Sequence, residues 1–237
     1  MLTFKSMEKI AIASGKGGVG KTSLTLIIAN FLKSKGYKVG LLDADIYGPN
    51  LAQLLVLNKD VRPAKNDNNI TEIKPLIIED FVINSIDFVV GKENAAIWRG
   101  PLVSKIIKQL YLNTNWGKLD YLLIDMPPGT GDAYLTILDS LRIDKILLVA
   151  VEDDFCIANL HKTLSLIKKL NKQSLGIIEN LSESFSQPSP PIQSEKIKEE
   201  FNDEILFVLP RLPRKKFYEE LNNLDKLKAY IPENFLQ

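Results

Sequence analysis

The amino-acid sequence predicts an α/β fold: a doubly wound, mostly parallel sheet flanked by helices. Three observations carry that expectation. Short runs that are apolar at consecutive positions recur along the chain, as strands buried on both faces should be. Longer stretches with apolar residues three and four apart lie between them. The two patterns alternate over the whole length with no internal repeat and no second core, so residues 1–237 read as a single domain.

Taken in order, residues 10–13 form the first strand. Residues 22–35 follow as a helix with Leu24, Ile27, Ile28, Phe31 and Leu32 on one face, stopped by Gly36. Residues 39–42, 81–84, 121–124, 146–151, 175–178 and 205–209 read as further strands, and 102–110 and 157–170 as further helices. The polar stretch 58–69 predicts an exposed excursion. The Ser- and Pro-dense stretch 182–191 predicts a flexible or extended loop. Ligands of such sheets sit beyond the carboxyl ends of the strands, which is where chemistry is expected.

Composition narrows the function. Lys+Arg number 30 against 29 Asp+Glu, which gives no electrostatic case for binding nucleic acid or a membrane surface. The single cysteine, Cys156, excludes an internal disulfide and suits a reducing cytoplasm. No leader pattern is expected at the start, where Met1 and Met7 both offer an initiation point, and no apolar run is long enough to span a bilayer.

The chemistry concentrates at residues 13–23, ASGKGGVGKTS. Gly15, Gly20, Lys21 and Thr22 satisfy G-x-x-x-x-G-K-[ST], between a strand and a helix beginning near Lys21. Gly15, Lys16, Gly17, Gly18, Val19, Gly20, Lys21, Thr22 and Ser23 then form a phosphate-binding loop for ATP, as in a P-loop NTPase. The glycines turn backbone N–H groups inward, and the helix N-terminus adds partial positive charge. Lys21 reaches the β- and γ-phosphates, and Thr22 places its hydroxyl on Mg²⁺. Asp43, Asp45 and Asp125 each end or follow an apolar strand. A carboxylate there is costly unless a cation meets it, so Asp125 and Asp43 are candidate Mg²⁺ ligands. The alternative for either acid is a cap on the following turn. Lys16 is not required by the pattern, and taken alone it reads as a solvated loop lysine.

With Lys16 in place, GKGGVGKT resembles the deviant Walker A loop of ParA, MinD, the nitrogenase iron protein and the Mrp/ApbC group. The stretches LLDADIYGPN (41–50), IWRGP (97–101) and WGKLDYLLIDMPPGTGD (116–132) look like the Mrp/ApbC group, whose members are iron–sulfur cluster carriers. The resemblance implies a slow Mg²⁺-dependent ATPase working as a homodimer. In it Lys16 reaches the partner's nucleotide, Asp45 helps position the attacking water, residues 127–132 respond to the γ-phosphate and Asn180 contacts adenine. Trp98 and Arg99 either anchor a loop on the core or contact phosphate or partner.

One element of that family is missing. After ENLS (179–182) the family carries C-x-x-C, whereas here Ser186 and Ser189 hold that spacing. Serine is a poor ligand for clusters held by thiolates, so a bound [4Fe–4S] cluster is not expected from this chain's own residues. Three readings follow: an ATP switch in iron–sulfur assembly with a cysteine-bearing partner or apoprotein client; a carrier with non-standard ligands; or a MinD/ParA-like positioning ATPase. The last would want a basic face or an amphipathic end. Glu219, Glu220 and Asp225 dilute the basic charge there, so a solvated surface helix is expected instead.

Overall fold

The computed structural model describes residues 7–55, 73–88, 100–143, 145–182, 193–211 and 230–236. In chain order they form β1 (Glu8–Ala13), α1 (Lys21–Ser34), β2 (Val39–Asp43), α2 (Leu51–Leu55), β3 (Leu76–Ile78), β4 (Phe81–Ser85) and α3 (Gly100–Asn113). Then come β5 (Tyr121–Asp125), α4 (Asp132–Ser140), β6 (Lys145–Ala150), α5 (Asp154–Lys169), β7 (Gln173–Ser182), α6 (Glu195–Phe201) and β8 (Ile205–Pro210). The eight strands make one sheet in the order β3-β4-β2-β5-β1-β6-β7-β8. Every pairing is parallel except β3 with β4. The doubly wound, mostly parallel sheet expected from the sequence is therefore present.

Up to their terminal aspartates, β2 and β5 carry residues without charge on both faces, because both faces are covered. All five residues of β2 and all five of β5 are buried. On the flanking layer, α1 buries Leu24, Ile28, Phe31 and Leu32. Strand order matters for the site. Chain order would put β2 beside β1, but β5 lies between them, and its register pairs Asp43 with Asp125 and Ile12 with Asp125. Two carboxylates that are far apart in sequence thus end neighbouring strands at the same level as the loop after β1.

Several details depart from the expectations. Strand β7 runs on to Ser182, which the Ser/Pro reading had put in a loop. α4 and α6 form where no helix was expected: α4 follows a Gly- and Pro-rich stretch that masks its start, and α6 has only seven residues. β3 is a three-residue antiparallel edge strand, too short for periodicity to reveal. Near the chain's end, Ile231 and Phe235 are buried, and the Phe235 ring lies 5.2 Å edge-on from Phe207 and 6.1 Å from Phe31. Residues 230–236 thus dock on the core, while the stretch before them for which a solvated helix is expected lies outside the described residues. The excursion at 58–69, Trp98, Arg99, the serines Ser186 and Ser189, and Glu219, Glu220 and Asp225 lie outside the described residues. Among the described residues, no helix is long and apolar enough to cross a membrane.

Candidate nucleotide site

The loop after β1 is closed by its own backbone. Ser14 Oγ donates to Lys16 O at 2.8 Å, and Gly129 N–H donates to Ser14 O at 3.0 Å, tying the loop to the segment after β5. Gly20 then enters α1 with φ 85°, a left-handed conformation that suits glycine. A Cβ at Gly20 would also stand 2.4 Å from Asn180 Nδ2, so the position is closed to side chains twice over. α1 has no side-chain cap and no acid in its first turn. Its first N–H groups therefore face the cleft with their partial positive charge uncancelled. By contrast, Asp153 caps α5 and Ser194 caps α6.

Lys21 is only 7% exposed and sits between two acids. Its Nζ lies 3.5 Å from Asp45 Oδ2 and 3.6 Å from Asp125 Oδ1. Thr22 Oγ1 donates to Asp125 Oδ2 at 2.5 Å. Asp125 Oδ1 is buried and receives no hydrogen bond. Burial pushes Asp125 up to about 6, although Lys21 and Thr22 both pull it down, and the Asp45 charge adds to the rise. Asp43 is raised well above the usual carboxylate range, first by burial and then by the Asp125 charge. Two carboxylates thus face one lysine, with Asp43 beside Asp125 on the neighbouring strand, and the Asp125 oxygen that accepts no hydrogen bond suits a hard divalent cation beside Thr22. Asp43 differs from Asp125 in that protein donors engage both of its oxygens: the N–H groups of Asp45 and Leu51 and the hydroxyl of Ser85.

Lys21, Thr22 and Asp45 line a cleft of about 660 Å³ at the carboxyl ends of the strands, with Lys16, Tyr47 and Pro128 on its walls and Asp43 and Asp125 buried behind it. Gly17, Gly18, Val19 and Ser23 line it as well. Gly15 lies deeper, against α5, where a Cβ would meet Asn159 at 2.7 Å. Lys16 Nζ pairs with Asp153 Oδ1 at 2.9 Å, both side chains being partly exposed. This ion pair holds Asp153 below the usual carboxylate range. The sequence expectations do not include Asp153, which lies three residues past the buried strand β6, where Asp43 and Asp125 close their strands. Asn180 Nδ2 donates to Val19 O at 2.9 Å, which bolts the end of β7 to the phosphate loop.

Cys156 stands apart from this chemistry. It is fully buried in the first turn of α5, its Sγ accepts the Val151 N–H at 3.5 Å, and burial pushes its thiol up. Among the described residues, no three His, Cys, Asp or Glu side chains are grouped to hold a metal.

A glycine loop between the central parallel strand and an uncapped helix, with a buried lysine and strand-end acids behind it, defines a P-loop nucleotide-binding protein. Comparison with known families narrows this further. The ParA family model, described as NUBPL iron-transfer P-loop NTPase, matches residues 5–207, and the chain belongs to that family. Its resemblance to the Mrp/ApbC group is borne out by an iron–sulfur cluster carrier protein of Rickettsia felis, 39% identical over 205 residues, which are 86% of this chain. The chain spans 62% of that relative's length. Among solved structures, a nucleotide-binding protein from Archaeoglobus fulgidus in complex with ADP aligns with TM-score 0.73 and 28% identity, covering 97% of this chain and 92% of that one. MinD from Pyrococcus horikoshii, complexed with Mg-ADP, aligns with TM-score 0.66 and 26% identity over 94% of this chain and 89% of that one.

Proposed function

We propose that this chain binds ATP with Mg²⁺, hydrolyses it slowly as a nucleotide-switched homodimer, and serves iron–sulfur cluster assembly or transfer in the cytoplasm. The observation that carries the reading is the placement of Lys21 between Asp45 and Asp125, with Thr22 on Asp125. Two acids pre-orient the lysine toward the cleft that phosphates would fill, and the loop's N–H groups supply the remaining donors. Thr22 and the free Oδ1 of Asp125 would hold Mg²⁺, which screens phosphate charge when bound. Asp45 is the group placed to orient a water. Lys16 leaves Asp153 to meet the partner's nucleotide, a move made cheap by the exposure of that ion pair. Asn180 holds the phosphate loop and borders the adenine.

The iron–sulfur role rests on the family and its named relatives. The residues of this chain do not suit direct ligation, since the one thiol is buried and engaged. The cluster is then held by a cysteine-bearing partner or client. Calorimetric titration of ATP with and without Mg²⁺ tests the site: Lys21→Ala should weaken ATP binding itself, while Thr22→Ala should remove the Mg²⁺ dependence. Equal binding by both variants and the parent would overturn the reading.

A further inference from the structure

Asp43 ends β2 with no exposed surface, next to the acid that fits a metal. Its contacts give it a different occupation. Oδ1 accepts the N–H of Asp45 at 3.2 Å. Oδ2 accepts the N–H of Leu51 at 3.1 Å and the hydroxyl of Ser85 at 3.3 Å. These donors come from three places: the turn after β2, the first residue of α2, and the end of β4. Asp45 repeats the device one step on. Its Oδ1 accepts the N–H groups of Tyr47 at 3.1 Å and Gly48 at 3.3 Å, leaving Oδ2 for Lys21. Two nested carboxylates therefore shape the whole excursion from Ala44 to Leu51, and the first one sets the second.

The contrast with Asp125 is one of free lone pairs. Asp125 Oδ1 accepts no hydrogen bond and faces only the Lys21 ammonium at 3.6 Å among the described residues, so it retains acceptor capacity for a cation. Asp43 has each of its oxygens engaged by a protein donor. Ser85 is itself fixed: its N–H donates to Asn84 Oδ1 at 2.9 Å, and Asn84 Nδ2 donates to Thr114 Oγ1 at 2.6 Å. The anchor for the turn thus reaches back through β4 to the end of α3.

We propose that Asp43 is a positioning residue and not a metal ligand: braced by Ser85, its carboxyl group holds the N–H groups of Asp45 and Leu51 and so fixes where Asp45 meets Lys21. The Mg²⁺-titration arm of this inference rests on the ATP reading of the site, but the bracing itself does not. Local carboxylate-to-backbone bonds of this kind order a turn directly, and losing one frees the amides it held.

The test uses the full chain without nucleotide and reads amide hydrogen exchange in the peptide covering residues 44–51. Asp43→Asn should speed exchange there about tenfold, the weight of one buried hydrogen bond. Ser85→Ala should speed the same peptide by a smaller factor, and the double variant should add little to Asp43→Asn alone. Calorimetric titration of Mg²⁺ into the ATP-bound protein should show an affinity within about twofold of the parent in both variants. A Mg²⁺ affinity weakened about tenfold or more in Asp43→Asn would make it a ligand and overturn the proposal. Unchanged exchange in both variants would overturn it equally. If Asp43→Asn does not fold, Ser85→Ala decides alone, and its unchanged exchange counts against the brace. If the parent binds no ATP, the ATP reading fails, while the exchange result still decides the brace.

Discussion

Replacing Asp125 by asparagine should stabilise the nucleotide-free protein while abolishing its Mg²⁺-dependent turnover. Burial lifts Asp125 from 3.8 to about 6 in the fold. Between those two values the folded chain keeps a proton that the unfolded chain has released, so stability falls as pH rises through the window and the deficit is complete above pH 6. At about 1.4 kcal/mol per pKa unit, carrying the charge at neutral pH costs the fold roughly 3 kcal/mol. Asparagine removes the charge and keeps an acceptor for Thr22, but it also takes away one of the two acids facing Lys21. The value of about 6 already contains the pull of Lys21, so losing that partner is inside the figure and Asp125→Asn should be more stable by about 2–3 kcal/mol at pH 7.5. That is a rise in Tm of roughly 4–12 °C for a chain of this size. The advantage should vanish near pH 4, where the parent's carboxyl is protonated as well. Urea and thermal denaturation at pH 7.5, 6 and 4, without metal or nucleotide, read this directly. An Asp125→Asn variant less stable than the parent at pH 7.5, or a gain that ignores pH, would refute the reasoning that the strand-end acid is held in a costly state for a cation.

Other outcomes follow from the same geometry. Lys16→Ala should leave ATP affinity within a few-fold of the parent and reduce phosphate release at least about tenfold, because one charged contact in the transition state is lost; a parental rate would remove Lys16 from the reaction. Gly20→Ala must force a left-handed alanine against Asn180 Nδ2, so it should cost about 1–2 kcal/mol in denaturation and lose ATP binding, as measured by titration. Asn180→Ala strands the buried Val19 carbonyl and should cost roughly 1–3 kcal/mol of stability, with weaker ATP binding in the same titration. Anaerobic reconstitution with iron and sulfide, followed by desalting, should leave no stoichiometric cluster on this chain; a cluster that survives and disappears in Cys156→Ser would show that the buried thiol can be drawn out.

The phosphate loop was legible because every part of it is local. Glycines, lysine and threonine lie within a few residues of one another, flanked by an apolar run and a helical face, and no distant contact is needed to recognise them. The acids Asp43 and Asp125 were legible for a related reason: a carboxylate closing an apolar strand is an anomaly visible in five residues. What those acids do was not. Asp43 and Asp125 stand side by side because β5 inserts between β1 and β2, a choice made by packing across the sheet and invisible to periodicity. The same holds for Lys16 on Asp153, Thr22 on Asp125 and Asn180 on Val19, whose partners are each more than a hundred residues apart. The acid–turn alternative for Asp43 was open in the sequence, since aspartate shapes turns and binds metals with the same two oxygens. Only the tertiary structure shows which donors reach those oxygens. Sequence determined the fold class and the chemistry of the loop through local pattern; strand order and long-range contact decided which side chain braces, which pairs and which keeps a free lone pair.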